Sequence, residues 1–245
     1  MKNLSSLLFI TLAPSVGLAA TVNISDLSEL GTPDETVTAI GAFGTFNNRT
    51  VNSVANVDTK DATFALLVDF NDPASVSTDN HLLWETGAGT IGMSLVYSPA
   101  SSTVSLRQAS SSGSIVLQVD QVLSAFHLSE GDLEIIWTFD TDGGAGGGPQ
   151  IELYVDSVSA GTDSNSSSQA DWSGGDPGGF GASAGNVAAN GSNGPLPSIV
   201  DFADGTINTG TGVRFWADTH AVIPEPGTAL LSLIGLGFAL TRRRH

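Results

Sequence analysis

Residues 133–140 read Leu133-Glu134-Ile135-Ile136-Trp137-Thr138-Phe139-Asp140, and this stretch decides the fold. Successive side chains of a β-strand point to opposite faces of the sheet. One face of this strand would hold four large apolar side chains, those of Leu133, Ile135, Trp137 and Phe139. Each such side chain contributes about 1.5–3 kcal/mol when it is fully buried. The stretch therefore predicts a strand that covers a large apolar core.

Segments of the same kind recur along residues 20–221, which we interpret as one domain. The other predicted strands are Ala62–Phe70, His81–Glu85, Ile91–Tyr97, Thr103–Arg107, Ser114–Val119, Gln150–Asp156 and Gly212–Ala217, together with Val37–Phe46, which Gly41 and Gly44 break. Turn-forming residues separate these segments, and Gln121–Leu128 alone has the pattern of a short helix. Short strands with turns about every 8–12 residues are typical of a sandwich or a barrel. The sequence therefore predicts an all-β sandwich.

The composition excludes several classes of function. The chain has 245 residues, a formal net charge of −17, eight Lys and Arg residues and no cysteine. Nucleic-acid binding without sequence preference depends on Lys and Arg side chains that neutralise phosphates, so we expect no nucleic-acid partner. The lack of cysteine excludes disulfides, Cys-ligated metals and thiol catalysis.

The N-terminus has the three parts of a secretory signal peptide. Lys2 supplies the positive charge, residues 7–18 form the apolar stretch, and Gly17-Leu18-Ala19 is a small-x-small cleavage pattern. We predict a signal peptide over residues 1–19, which signal peptidase removes by cutting after Ala19. The mature chain would therefore be exported.

The C-terminus carries a second signal over residues 222–245. Pro224-Glu225-Pro226 comes first, an apolar stretch over residues 227–240 follows, and Arg242, Arg243 and Arg244 precede the last residue. As a helix, the apolar stretch would reach ~21 Å, short of a hydrocarbon core of ~30 Å. Bilayer thinning and snorkelling arginines would still let this short hydrophobic helix anchor the chain in the membrane. An ordinary tail anchor is the alternative interpretation.

The three tail elements resemble the PEP-CTERM sorting signal of exopolysaccharide-producing Gram-negative bacteria. In that family an exosortase, a membrane-embedded cysteine protease, recognises and cuts the tail, and the mature protein reaches the outer surface or the matrix. The resemblance covers residues 222–245. It implies an exosortase substrate that is anchored transiently in the inner membrane and then released to the outer surface or a biofilm-type matrix.

A second resemblance concerns the middle of the chain. The strand that ends in Trp137-Thr138-Phe139-Asp140, a Gly-rich turn and the segment Ile151–Asp156 resemble a hairpin of laminin-G-like, concanavalin A-like lectin/glucanase domains. Residues 201–206 and 214–216 are similar to their closing strands. The resemblance implies a jelly-roll β-sandwich over about residues 20–220. The chain departs from the family at Ser157, where a turn glycine is common, and it lacks the His that often follows the Trp.

Residues 157–197 form a long insertion that is rich in Gly, Ser, Asn and Ala. Long loops without secondary structure are usually functional or disordered. Linker composition alone would need neither Trp172 nor Phe180, so we predict a surface loop that these two aromatic residues tether to the sandwich. Trp172 is the candidate for stacking on a sugar, whereas the strand positions of Trp84 and Trp137 favour core roles.

The candidate catalytic residues lie in Glu130-Gly131-Asp132-Leu133-Glu134. Retaining glycosidases need two carboxyl groups about 5–5.5 Å apart, and a spacing of two places these carboxylates on one strand face. The pattern also resembles the catalytic signature of a jelly-roll glucanase family, in which Glu130 would be the nucleophile and Glu134 the acid/base. Gly131 replaces the apolar residue of that signature, and residues 129–132 have the composition of a turn.

Calcium is the only cofactor that the sequence suggests. Ca²⁺ takes six to eight oxygen ligands, and two pairs of carboxylates lie in predicted loops: Asp140 with Asp142, and Asp201 with Asp204. The spacing of a dedicated calcium loop is missing. Acidic surface pairs without a metal are the alternative interpretation.

Three hypotheses about function follow. The first is an exported, surface-sorted, non-enzymatic sandwich of the extracellular polysaccharide matrix that binds glycans or mediates adhesion. The second is a glycoside hydrolase of the jelly-roll type that uses Glu130 and Glu134. The third is a passive structural protein of the matrix, which the acidic and Gly/Ser/Asn-rich composition favours.

Overall fold

The computed structural model describes residues 20–23, 26–43, 61–70, 80–87, 92–109, 114–128, 132–144, 146–166, 176–181, 207–208, 212–217 and 219–223. Fifteen strands lie within these ranges. They are β1 Ala20–Asn23, β2 Glu35–Val37, β3 Gly41–Phe43, β4 Ala62–Phe70, β5 His81–Gly87, β6 Gly92–Ser98, β7 Thr103–Ala109, β8 Ile115–Val122, β9 Asp132–Asp140, β10 Gln150–Val155, β11 Val158–Ser164, β12 Asp176–Phe180, β13 Ile207–Asn208, β14 Val213–Ala217 and β15 Thr219–Val222. Two 3₁₀ helices cover Leu27–Leu30 and Pro99–Ser101.

The strands form two antiparallel sheets and a small parallel ribbon. The seven-stranded sheet has the order β11-β10-β9-β4-β14-β2, with β13 also paired to β4. The six-stranded sheet has the order β3-β12-β5-β6-β7-β8, and β1 pairs with β15 in the ribbon. The prediction of an all-β sandwich is confirmed. The sequence could predict it because segments with alternating apolar residues recur along the chain.

The core lies between the two sheets and is centred on aromatic rings from both. Trp137 of β9 stacks on Phe64 of β4 with ring centroids 5.4 Å apart and an angle of 6° between the rings. Trp84 of β5 crosses from the other sheet to within 5.1 Å of Trp137. All three side chains are completely buried, so the prediction that Trp84 and Trp137 are core residues is confirmed.

The other face of the seven-stranded sheet carries a second, smaller apolar cluster. Strand β9 alternates as predicted: its odd-numbered residues from Leu133 to Phe139 enter the main core, whereas Ile136 packs with Tyr154 and Trp216 on the outer face. Leu27 of the first 3₁₀ helix and Ala221 of β15 cover this cluster. The sequence pattern of β9 does not show what covers its outer face, because the covering residues are far away in the sequence.

Strand β15 is fastened to this outer face through its backbone. The Ala221 N–H donates to Thr63 Oγ1 (3.0 Å), and the Ile223 N–H donates to Tyr154 Oη (3.3 Å). The register of the ribbon pairs Ala20 with Thr219 and Asn23 with Val222. Side-chain hydroxyl groups of the seven-stranded sheet therefore accept hydrogen bonds from the backbone of β15 and of the residue that follows it.

Tyr154→Phe should loosen this attachment, because the Ile223 N–H then loses its acceptor. A buried donor without a partner costs about 1–3 kcal/mol, and denaturant unfolding would measure the loss. Burial raises the pKa of Tyr154 above its usual value of 10. A raised folded-state pKa gives stability that is complete below about pH 10 and is lost as the pH rises further. The fall in the free energy of unfolding between pH 9 and pH 11 should therefore be smaller in Tyr154→Phe than in the wild type. An equal fall in both proteins would contradict this.

The structure corrects three local predictions. Gln121–Leu128 is not a helix, because residues 121–122 complete strand β8 and residues 125–128 form a turn. Val37–Phe46 divides before Gly41 and not at it: β2 ends at Val37, the chain crosses to the other sheet at residues 38–40, and β3 begins at Gly41. The insertion after Ser157 contains β11, which pairs with β10, and β12, which pairs with β5. In these segments, hydrogen-bonded pairing with neighbouring strands of the same sheet overrides the local composition.

The turn between β10 and β11 has two residues with positive φ, Asp156 (50°) and Ser157 (61°). Two such residues make a type I′ hairpin turn, for which Asp-Gly is a preferred pair. A left-handed conformation costs an L-residue about 1–2 kcal/mol, so we expect Ser157→Gly to stabilise the protein by about 1 kcal/mol. Ser98→Gly is the control. Ser98 has an extended backbone (φ −113°), so glycine there should make the protein less stable. Equal effects in a denaturant titration would contradict the turn argument.

The predicted signal peptide, with Ala19, and residues 224–245 of the predicted sorting tail, with Pro224, Glu225, Pro226, Arg242, Arg243 and Arg244, lie outside the described residues. The first two residues of that tail are described: Val222 ends strand β15, and Ile223 is buried in the cluster on the outer face of the seven-stranded sheet. Export, exosortase cutting and membrane anchoring therefore stay predictions. Among the residues that the structure describes, there is no helix with the length and apolar character that a membrane crossing requires.

Candidate functional site

Three exposed apolar side chains lie on segments that come together at one corner of the sandwich. Among the described residues, four large apolar side chains are exposed: Val122 (64%), Phe126 (60%), Val158 (53%) and Ile40 (41%). Val122 ends strand β8, Phe126 lies in the turn that follows it, and Val158 begins strand β11. An exposed apolar group of this kind often marks a surface that binds something.

The edges of the two sheets bring these residues together. The Gln118 N–H of β8 donates to Asp163 Oδ2 of β11 (2.8 Å), and Gly161 lies against Val119, since a Cβ there would be 3.8 Å from Val119 Cγ1. The two edge strands thus run in opposite directions, and the end of β8 reaches the start of β11. We call the surface formed by Val122, Phe126, His127, Asp156 and Val158 the β8–β11 corner.

Local hydrogen bonds fix the loop that carries Phe126. The Ser124 N–H donates to His127 Nδ1, and the His127 N–H donates to Ser124 Oγ, both at 3.2 Å. The Leu128 N–H donates to the Ser124 carbonyl oxygen (3.2 Å), and Leu123 is buried. The loop is therefore held at both ends, and Phe126 is exposed from a defined turn.

The hydrogen bond to Nδ1 also decides the tautomer of His127. Because Nδ1 accepts a hydrogen bond, the proton of the neutral ring is on Nε2. Nε2 lies 4.0 Å from Asp156 Oδ2. The corner therefore offers an imidazole N–H donor and a carboxylate acceptor beside the Phe126 ring, whose centroid is 6.2 Å from that of His127.

A polar chain continues from Asp156 across the outer face of the seven-stranded sheet. Asp156 Oδ1 accepts from the Glu134 N–H (3.2 Å), and the Asp156 N–H donates to the Glu134 carbonyl oxygen (2.9 Å). The Glu134 carboxylate accepts from Arg214 Nη2 (3.4 Å), and the Arg214 guanidinium lies over the Trp216 ring at 5.7 Å. Trp216 in turn donates through Nε1 to the Gly31 carbonyl oxygen (3.3 Å).

Opposing effects act on the pKa of Glu134 within this series of polar contacts. Burial raises the pKa of Glu134, the Arg214 guanidinium opposes that rise, and the Asp26 and Asp156 carboxylates add to it. The pKa of Asp26 is lowered by the hydrogen bond that its carboxylate accepts from the Ser28 N–H (2.7 Å). The surroundings of Glu134 thus combine one cation with two neighbouring carboxylates.

Of the two candidate catalytic residues, the structure describes only Glu134. Its carboxylate lies on the outer face of the seven-stranded sheet and bonds Arg214. Glu130 lies outside the described residues, so the paired arrangement of Glu130 and Glu134 stays a prediction.

The candidate calcium ligands are also described only in part. Asp140 is buried, and its Oδ1 accepts from the N–H groups of Asp142 (3.0 Å) and Gly143 (2.8 Å). Asp142 is exposed, and Asp201 and Asp204 lie outside the described ranges. Within those ranges, no group of three or more His, Asp or Glu side chains is placed to hold a metal ion.

The two aromatic residues of the insertion have different outcomes. Phe180 of β12 is fully buried in the main core, as expected of an anchor. Trp172 is outside the described residues, and its role in sugar stacking stays a prediction.

Sequence reasoning missed Phe126 and His127, because both fall in the segment for which the pattern predicts a helix. A break in the strand pattern after Val122 could have indicated a loop there.

Comparison with known proteins yields likenesses of fold only. No family model matches the chain, and no curated protein matches it. The receptor binding domain of botulinum neurotoxin D is similar at a TM-score of 0.43 and 6% identity, over 69% of this chain and 35% of that chain. The Ruminococcus gnavus IT-sialidase CBM40 bound to alpha2,6 sialyllactose is similar at a TM-score of 0.42 and 11% identity, over 80% of this chain and 94% of that one. This chain spans about a third of the neurotoxin chain.

Proposed function

We propose that this protein is an exported, surface-sorted β-sandwich of an exopolysaccharide matrix that binds glycans without hydrolysing them. The β8–β11 corner is the binding surface. The observation that carries the proposal is that three of the four exposed large apolar side chains among the described residues lie on the segments that come together there, beside a His–Asp pair.

The chemistry of the corner suits a sugar ring. A pyranose presents apolar C–H groups on its faces and hydroxyl groups around its edge. Binding sites for small ligands combine apolar and aromatic side chains with a few placed polar groups. Phe126 and the two valines supply the apolar surface, His127 Nε2–H supplies a donor, and Asp156 Oδ2 supplies an acceptor.

A glycan array that compares the wild type with Phe126→Ala tests the proposal. We expect the wild type to bind a subset of the glycans and Phe126→Ala to bind them at least about tenfold more weakly, since a central aromatic anchor contributes about 2 kcal/mol or more. Ile40→Ala is the matched control, because Ile40 is exposed but lies in the crossing between β2 and β3. Binding that is absent, or that falls equally in both variants, would contradict this assignment.

One observation favours the hydrolase as a second candidate. Burial raises the pKa of Glu134, as a general acid requires. The ion pair with Arg214 favours a structural role instead. Release of reducing ends from a polysaccharide panel that disappears in Glu134→Gln would establish the enzyme, whereas no release from any polymer would support a binding protein.

The sorting half of the proposal has its own test. The tail elements Pro224-Glu225-Pro226 and Arg242–Arg244 support exosortase processing. Replacement of the three arginines by alanine should leave the protein in the membrane fraction of a host that has an exosortase. Equal release of variant and wild type would contradict the sorting signal. A passive matrix protein would be released normally and would bind no glycan on the array.

A further inference from the structure

We propose that His127 is a pH-dependent switch for the turn that carries Phe126. The neutral ring holds Ser124, and the protonated ring leaves Ser124 and pairs with Asp156. The two nitrogens of the ring carry this inference: Nδ1 accepts from the Ser124 N–H (3.2 Å), and Nε2 lies 4.0 Å from Asp156 Oδ2. Its consequence for ligand binding rests on the glycan binding proposed above.

The turn depends on three hydrogen bonds to Ser124. Its N–H donates to His127 Nδ1, its Oγ accepts from the His127 N–H, and its carbonyl oxygen accepts from the Leu128 N–H, each at 3.2 Å. Leu123 is buried in the main core and Leu128 packs against that core, whereas Ser124 and Phe126 are exposed. Local hydrogen bonds rather than burial therefore hold the middle of the turn, and segments of this kind open most easily.

A second proton on the ring removes one of these three hydrogen bonds. The neutral ring offers Nδ1 as an acceptor, whereas an imidazolium carries a proton on both nitrogens and has no acceptor. The Ser124 N–H and the new Nδ1–H would then face each other as two donors 3.2 Å apart. The ring must therefore move away from Ser124. Histidine side chains change charge between about pH 5 and 8, so a fall in pH through this range causes the movement.

The Asp156 carboxylate determines where the ring moves. The Asp156 N–H donates to the Glu134 carbonyl oxygen (2.9 Å), and Asp156 Oδ1 accepts from the Glu134 N–H (3.2 Å), so this carboxylate is held in place. Its Oδ2 lies beyond hydrogen-bond distance of the neutral ring. An imidazolium that moves closer gains a charge-assisted hydrogen bond, which is about twice as strong as a neutral one.

Asp156 is the charged group that faces His127 in the described part of the chain. Residues 123–128 contain no other titratable side chain. Two carboxylates of the adjoining strands have other partners: Asp120 of β8 bonds Gln118, and Glu134 of β9 bonds Arg214. The protonated ring therefore has one carboxylate to which it can move.

Nuclear magnetic resonance of the full chain tests the switch without a ligand. At pH 8 we expect the ring nitrogens of His127 to show the Nε2–H tautomer. At pH 5 the exchange of the Ser124 amide with water, corrected for its intrinsic pH dependence, should be about fivefold faster than at pH 8, the factor that corresponds to one net hydrogen bond. A proton on Nδ1 at pH 8, or an unchanged corrected exchange rate, would overturn the proposal.

His127→Asn is the matched control, because the asparagine oxygen can accept from the Ser124 N–H in place of Nδ1 but does not titrate. We expect the corrected Ser124 exchange of this variant to be the same at both pH values. His127→Phe, which offers no acceptor, should exchange fast at both. Equal acceleration in the wild type and His127→Asn would assign the effect to another group, such as the buried His81, and would overturn the role of His127.

The effect on binding is measured separately. A glycan that the wild type binds at pH 8 should bind about fivefold more weakly at pH 5, because the binding-competent turn is then less populated and Nε2–H and Asp156 Oδ2 bond each other instead of the ligand. His127→Asn should bind equally at both pH values. Equal binding by the wild type, with faster Ser124 exchange at pH 5, would overturn the link between the turn and binding. If no glycan binds at either pH, the proposed function fails, and the Ser124 exchange still decides the switch.

Discussion

Trp137→Ala should lower the free energy of unfolding by about 3–5 kcal/mol, the range for truncation of a large aromatic side chain in a core. Trp137 is completely buried, lies parallel to the Phe64 ring and contacts Trp84 from the other sheet. Its removal leaves a cavity at the point where the two sheets meet. Since natural domains have only about 5–15 kcal/mol of stability, and this chain has no disulfide, such a loss would bring the protein close to unfolding.

Urea unfolding followed by intrinsic fluorescence or circular dichroism measures this loss. Val122→Ala is a suitable control, because Val122 is 64% exposed and surface substitutions usually change stability by less than about 0.5 kcal/mol. A loss below 1 kcal/mol in Trp137→Ala would contradict the placement of this ring at the centre of the core.

Gly212→Ala, directly before β14, should destabilise the protein strongly. Gly212 has φ of 69°, and a Cβ on it would collide with the Val37 carbonyl oxygen and lie 2.8 Å from Thr38 Cα. The left-handed conformation costs about 1–2 kcal/mol, and overpacking against backbone adds about 1–3 kcal/mol. We therefore expect a loss of about 2–5 kcal/mol and weaker pairing of β14 with β2.

Gly147→Ala separates the two contributions. Gly147 has a similar φ of 75°, but a Cβ there would have no heavy atom within 4 Å. It should lose about 1 kcal/mol for the backbone conformation alone. Equal losses in the two variants, measured by thermal and denaturant unfolding, would mean that β2 moves away from Gly212 without a penalty.

The candidate site was largely hidden from sequence analysis, and the reason is physical. Phe126 and His127 follow strand β8, which ends at Val122, three residues beyond the predicted end at Val119. Their importance depends on Asp156, which lies in the turn after β10, and on Val158, which begins a strand that sequence analysis assigned to a loop. The segments that carry these residues come together because the edge of β8 lies against the edge of β11, with the Gln118 N–H bonded to Asp163. No local pattern encodes that meeting.

The partner of Glu134 was also hidden from sequence analysis. Sequence analysis paired it with Glu130, since residues two apart share a strand face. In the structure its carboxylate bonds Arg214, eighty positions away, because β4 lies between β9 and β14 in the sheet. The chemistry of a strand residue depends on which strands become its neighbours.

Alternation of apolar residues within single strands was enough to determine an all-β sandwich, its aromatic core at Trp84 and Trp137, and the buried face of β9. That information is local, because a period of two places every second side chain on one side wherever the strand lies. Only the tertiary structure decided the order of the strands, the β1–β15 ribbon over the outer face and the β8–β11 corner. Those depend on contacts between segments that are far apart in sequence, where backbone edges and hydroxyl groups find partners that no local pattern specifies.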